Sequence, residues 1–344
     1  MHSPYISIVA TSRNDIHGGD MIKRMKLFVN CLIKQARKFQ FPIELIIVEW
    51  NPPQDCTPLY QVLPKPGRND KLLLRYVTVP CHIHSRYKRA NEIPLFQMIA
   101  KNVGIRRAKG QFVLCTNTDL LFSNQIFEVL AKKDLRKDTF YRANRFDVPN
   151  KIDPQLSLEQ QLKWCNENWF KRIGRDNRFK NGNLEHFGLN DKPLVKKWIF
   201  DKFLYFAKSF WPSEKRQFYQ IDTFACGDFT LMSKEAWIDI QGYVELDLYS
   251  IHIDSLALIA ATSLGYRQRV FKAEACTYHM DHPHGWESFT PIDKIKWLEE
   301  RPGLGYDLLY EVALHILKQP AHLNLNSKNW GYADHEFEEI VFGQ

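Results

Sequence analysis

The feature that most limits the fold is an alternation at the start of the chain. Four short runs, "YISIVAT" (5–11), "PIELIIVEW" (42–50), "LLLRYVTVP" (72–80) and "QFVLCTN" (111–117), are nearly continuous apolar stretches rich in strand-forming residues. Between them lie helical patterns. "MIKRMKLFVNCLIKQARKF" places Met21, Met25, Phe28, Val29, Leu32 and Ala36 at helical spacing with Lys and Arg between them. "LFQMIAKNVGIRRAKG" predicts a second helix with Gly110 as its stop signal. Strands without polar alternation are buried on both faces, so helices must cover both sides. The expected class is α/β, with a doubly wound, mostly parallel sheet. Ligands in such sheets bind beyond the carboxyl ends of the strands. Thr11–Arg13, Glu49–Asn51 and Asn117–Asp119 stand at such ends and are expected to meet in one crevice.

Farther along, "LSLEQQLKWCNENWFKRIGR" and "PLVKKWIFDKFLYFAKSFWP" read as helices of an insertion over 141–220. Alternation returns with "FACGDFTLMSKEAW" and "HIDSLALIAATSLGYRQRVF", the latter a helix, a tight turn at Gly265 and a strand. The expected organisation is a first half over 1–140, the insertion, a second half over 221–285 and a helical C-terminal extension over 286–344. The 344 residues are 44% hydrophobic and 25% charged, enough for one large domain or two smaller ones. A formal charge of +8 suits plain solubility, and equally suits anionic partners: nucleotides, phosphates, anionic lipid or nucleic acid. No run approaches the ~18 uninterrupted apolar residues of a membrane span. The opening residues lack a signal-peptide pattern, and the seven cysteines form no CxxC, so reduced thiols and a cytoplasmic location are expected.

Three stretches carry chemistry. "HGGD" (17–20) precedes the first helix, where backbone N–H groups can approach an anion, or where a plain turn suffices. "NTD" (117–119) ends the fourth strand with a carboxylate, which suits a hard divalent cation shared with substrate phosphates; an Asx turn is the plainer account. "CTYHMDHPHGW" holds His279, His282 and His284, which invites a metal reading, although no HExxH and no cysteine pair at finger spacing accompany them. Asp254 lies at a predicted helix start, where an N-cap or a general base is at home. His252, two residues earlier, is the competing base. Finally, Trp198, Ile199, Phe203, Phe206 and Phe210 share one side of a basic helix over 195–211, either a sheet-covering helix or a peripheral contact with the inner face of a membrane.

The run "AKNVGIRRAKGQFVLCTNTDLLFS" resembles the GT-A glycosyltransferases, especially the large inverting, family 2-type enzymes. Their pattern, N-x-G-x-x-x-A-x-G followed by an apolar strand and D-x-D, is matched in order by Asn102, Gly104, Ala108, Gly110 and Asp119, with Asn117 in place of the first Asp. "SIVATSRND" and "LIIVEWN" are similar to the opening strands of that family. "GDFTLMSKEAWIDIQGYVE" and the following "HIDSLALIAATSLGYR" resemble a block of galactosyl- and hexosaminyltransferases, with Ile253 in place of a Glu and the usual Arg missing.

The resemblance implies a Rossmann-like GT-A fold and a metal-dependent transferase. A hexosyl or hexosaminyl group would move from a nucleoside-diphosphate sugar (a UDP-sugar by default) to a hydroxyl of a glycan or lipid-linked glycan. It implies nucleotide contacts from Thr11, Arg13, Glu49, Asn102, Asn117 and Asp119. Mn²⁺ or Mg²⁺ would be held by Asp119 and His279, with His282 the second histidine, and Asp254 would be the base of an inverting reaction. One rival is a sugar-phosphate nucleotidyltransferase, whose glycine-rich basic turn "TSRNDIHGGD" only partly provides. The other, a nucleic-acid-binding protein, lacks a binding motif, and no nucleic-acid partner is expected.

Overall fold

The computed structural model describes residues 4–15, 18–174, 178–179, 211–282, 300–320 and 323–343. In chain order the elements are β1 (Ile6–Ser12), α1 (Met21–Lys38), β2 (Ile43–Trp50), α2 (Leu59–Val62), β3 (Leu72–Val79), α3 (Cys81–His84), α4 (Gln97–Arg107), β4 (Phe112–Thr116), β5 (Leu120–Phe122), α5 (Asn124–Ala131), β6 (Thr139–Arg142) and β7 (Asn144–Val148). They continue with α6 (Leu158–Asn168), β8 (Lys171–Ile173), β9 (Arg178–Phe179), α7 (Ser213–Gln220), β10 (Phe229–Ser233), α8 (Lys234–Asp239), α9 (Ile253–Ser263), β11 (Arg267–Val270), β12 (Cys276–Met280), α10 (Tyr306–Lys318) and β13 (Glu338–Phe342).

The larger sheet has the order β11-β6-β10-β4-β1-β2-β3-β13. Its centre, β4-β1-β2-β3, is parallel. Side chains alternate between two cores on its opposite faces. Val9, Val48 and Val113 join a core with α4, α8, α9 and α10. Ile8, Ile47 and Leu114 join a core with α1 and α5. Burying each such aliphatic side chain is worth about 1.5–3 kcal/mol, which is why these strands carry no polar alternation. Gly104 and Gly110 mark close approaches to β1, since a Cβ would collide with Val9 at the first and with the Ser7 backbone at the second.

The sheet is mostly parallel, β11 and β6 included, but two strands run against it. β10 lies antiparallel between β4 and β6, and β13 pairs antiparallel with β3. The run "FTLMS" is buried on both faces and reads alike in either direction, so its sequence carries no sign of orientation. The segment 141–220 is not purely helical. Residues 141–142 finish β6 and 144–148 form β7, which belong to the two sheets. The C-terminal extension likewise carries α10 but ends in the strand β13, whose Glu339 pairs with the buried Arg75. Except for Trp211, the basic aromatic stretch 195–211 lies outside the described residues, as does His284. Among the described residues no helix is long and apolar enough to cross a membrane.

The smaller sheet has the order β5-β12-β7-β8-β9. After β4 the chain turns through Asn117–Thr118–Asp119 and enters this second sheet as β5. The turn therefore stands where the polypeptide leaves one sheet for the other.

Candidate metal centre

The register of the smaller sheet assembles the centre. β5 runs antiparallel to β12 with Leu120 opposite His279, so Asp119 arrives beside that histidine. The Met280 N–H donates to the Asp119 carbonyl at 2.9 Å and fixes the approach. His279 Nε2 lies 3.5 Å and His282 Nε2 3.3 Å from Asp119 Oδ2. One ligand atom from each of the three residues lies within 4.8 Å of the others, and among the described residues this is the one such group that could hold a metal ion. Both histidines are about nine-tenths buried, while the Asp119 side chain is 20% exposed, so the cluster opens at the carboxylate. Asp119 Oδ1 is buried with no hydrogen-bond partner. A buried carboxylate oxygen costs free energy unless something satisfies it. With two imidazoles and a carboxylate converging, the donor set fits a divalent transition-metal cation.

The clustered groups shift one another's protonation. Burial pushes the Asp119 carboxyl up, but the two imidazoles, His279 first, hold it well below the usual carboxylate range. Burial and Arg145 push His279 down; Asp119 and Asp147 overcome both and raise it to about 10. Gly18, in the "HGGD" turn, seats the second histidine. It has φ +65°, and a Cβ there would lie 2.5 Å from His282 Nδ1. Arg24 of α1 donates to the Gly18 carbonyl at 2.9 Å and holds the turn in place.

Behind the cluster runs a polar network that sequence reading missed. β7 is parallel to β12 with Asp147 opposite His279. The His279 Nδ1–H donates to Asp147 Oδ1 at 3.1 Å, which turns Nε2 toward Asp119. Burial acts to raise Asp147, but Arg145 above all, with His279, brings it to about 2. Arg145 also reaches Asp228 Oδ2 at 3.0 Å, and Asp228 Oδ1 accepts from Asn117 Nδ2 at 2.7 Å. Asn117 Oδ1 accepts from Gln97 at 2.8 Å and from Lys101 Nζ at 2.9 Å. Lys101 is fully buried and also donates to the Gly227 carbonyl at 2.8 Å. A signal for this network existed in "NRFDV". Arg145 and Asp147 are two apart, hence on one face of a strand.

Asp254 stands in the first turn of α9, and its Oδ1 accepts the Ser255 N–H at 2.9 Å. Its Oδ2 lies against Gly227, 2.9 Å from where a Cβ would sit. Asp254 is partly exposed and stands near Lys101, so the fold brings it to the same network as Asn117. His252, the N-cap of α9, is left-handed at φ 65° and faces the Tyr306 ring at 6.1 Å. Burial lowers its pKa.

The nucleotide-contact expectations divide. At the end of β1, Thr11 Oγ1 is buried without a partner, and Arg13 is a quarter exposed and paired with Asp15 at 3.1 Å. Glu49 is turned inward: it is 1% exposed and accepts the Leu59 N–H at 3.2 Å, capping α2. Burial pushes its carboxyl up to about 7, opposed by Leu59 and Asn14. Asn102 is fully buried, donating to the Tyr243 carbonyl at 2.8 Å and to Glu245 at 3.0 Å, while its oxygen accepts the Tyr243 N–H. These two residues hold the scaffold and present no polar atom to a ligand. Asn117 is partly exposed and has both ends of its amide engaged within the protein.

The fold and the cluster thus define a mixed α/β protein with a candidate metal centre at the carboxyl edge of its parallel strands. No protein-family profile and no curated protein matches the chain. Among solved structures, the crystal structure of S. aureus TarS 1-349 aligns with a TM-score of 0.41 at 14% identity, covering 80% of this chain. The match spans 60% of that chain, under two thirds of its length.

Proposed function

We propose that the chain is a metal-dependent glycosyltransferase that uses a nucleoside-diphosphate sugar. The observation that carries this reading is the convergence of Asp119, His279 and His282 at the end of β4, with Asp254 beside Gly227 and Lys101 of the adjoining network. Asp119, His279 and His282 would hold Mn²⁺ in preference to Mg²⁺, because two of the three donors are imidazoles. When bound, the ion supplies positive charge against a diphosphate leaving group. Thr11 and Arg13, at the end of β1, would orient the nucleotide, with UDP the default. The acceptor would be a hydroxyl of a glycan or a lipid-linked glycan. As its oxygen bonds to the anomeric carbon, its proton passes to Asp254 and the bond from that carbon to the diphosphate breaks, with inversion. Gly227 lies against Asp254, where any Cβ would crowd the carboxylate at 2.9 Å.

The test is an assay of nucleoside diphosphate released from UDP-sugars, with and without Mn²⁺, for the wild type, Asp119→Ala and Asp254→Asn. Expected are metal-dependent release by the wild type, loss of metal-dependent nucleotide binding in Asp119→Ala, and donor binding without turnover in Asp254→Asn. Full activity in Asp119→Ala would sink the site. Pyrophosphate in place of nucleoside diphosphate would make the protein a nucleotidyltransferase. Salt-dependent nucleic-acid binding with no release would make it a binding protein.

A further inference from the structure

Arg145 belongs to no motif, yet it is the point where the two halves of the centre are tied together. Its Nε donates to Asp147 Oδ1 at 2.6 Å and its Nη1 to Asp228 Oδ2 at 3.0 Å. Both carboxylates are buried, Asp147 at 1% and Asp228 at 5% exposure. Asp147 takes the Nδ1–H of His279, its cross-strand neighbour. Asp228 takes the amide of Asn117, two residues before Asp119. One guanidinium therefore anchors the strand that carries His279 and the turn that carries Asp119.

We propose that Arg145 is a positioning residue that sets the separation of Asp119 from His279, and that Asn117 occupies the first slot of the motif because it completes this bridge. This rests on the metal-centre reading above. The chemistry is specific to the residue types. A planar guanidinium holds two carboxylates at once in a fixed geometry, whereas an ammonium is a point charge on a flexible stem. Asn117 must donate to Asp228 while accepting from Gln97 and Lys101, and an amide does both. With Nδ1–H committed to Asp147, Nε2 of His279 is the atom left for a metal. If Arg145 served only to neutralise two buried acids, Lys would serve as well.

The test compares wild type, Arg145→Lys and Asp147→Ala; in the last, Arg145 keeps its pair with Asp228. Mn²⁺ affinity is read from the free-ion paramagnetic resonance signal, and folding from circular dichroism and thermal unfolding. Both variants are expected to fold and to bind Mn²⁺ roughly 10–100-fold more weakly. In metal-free protein, proton NMR should show a slowly exchanging imidazole N–H of His279 in the wild type that both variants lose. Wild-type Mn²⁺ affinity in a folded Arg145→Lys protein would overturn the proposal. Should the wild type bind no Mn²⁺, the metal reading falls. The imidazole resonance of folded Arg145→Lys then decides the bridge by itself: its survival overturns it, its loss upholds it.

Discussion

Replacing Asn117 by Asp would complete a two-acid motif on paper, and the structure argues that it harms the protein. Asn117 Nδ2 donates to Asp228 Oδ1 at 2.7 Å, and its Oδ1 accepts from Lys101 at 2.9 Å. The substitution swaps that donor for a second carboxylate oxygen. A hydrogen bond to a charged group is worth about 1.5–3 kcal/mol, and it is lost. Two unit charges about 4 Å apart repel by about 4 kcal/mol at an effective dielectric of 20, and Lys101, at a similar range, attracts the new charge by a similar amount. These two effects offset, leaving a net loss of about 2 kcal/mol. The new carboxylate would be committed to Lys101 and would add no metal ligand. Urea unfolding of Asn117→Asp should show a lower midpoint at unchanged slope, and Mn²⁺ titration should show no gain in affinity. Tighter Mn²⁺ binding at wild-type stability would refute the reasoning, because it would mean that Asp228 does not constrain this position.

Two further outcomes follow from the same geometry. Gly18→Ala places a methyl 2.5 Å from His282 Nδ1 at a left-handed φ of +65°; it should cost about 1–2 kcal/mol in backbone strain and weaken Mn²⁺ binding, and unchanged Mn²⁺ affinity would show that Gly18 does not seat His282. Glu49 in the folded protein holds its proton up to about 7 against an ordinary 4.5, because burial disfavours the charged form. The folded state therefore binds that proton more tightly, and stability falls as pH rises from 4.5 through 7, by up to about 3 kcal/mol. Glu49→Gln keeps an oxygen for the Leu59 N–H and removes the charge, so it should melt above the wild type at pH 8, with the difference vanishing near pH 4.5. Equal melting points at pH 8 would refute the assignment.

Much of the scaffold was legible because burial on both faces leaves a mark on strands. The runs at 5–11, 42–50, 72–80 and 111–117 became β1 to β4, and the helix, Gly265 turn and strand after residue 252 became α9 and β11. Asp119 was legible for a related reason, since a carboxylate interrupting two apolar runs at a strand end stands out. Glu49 and Asn102 also stood at telling positions, yet their side chains turned out to cap α2 and to fasten Tyr243. A position in the chain does not state which way a side chain faces when both directions are packed.

Residue order alone thus determined the layered α/β architecture, because apolar periodicity follows directly from which faces must be dry. It also placed an acid at the edge of the sheet. Only the tertiary structure decided what that acid meets. Strand direction in β10, the edge strand β13, and the β5-β12-β7 register that sets Asp119, His279 and Asp147 side by side all depend on pairing between segments distant in sequence. The Arg145 bridge is of that kind: its two carboxylates come from β7 and from the turn before β10, and nothing local to either predicts the other. Local pattern encodes burial, whereas a site built from several strands is fixed by register.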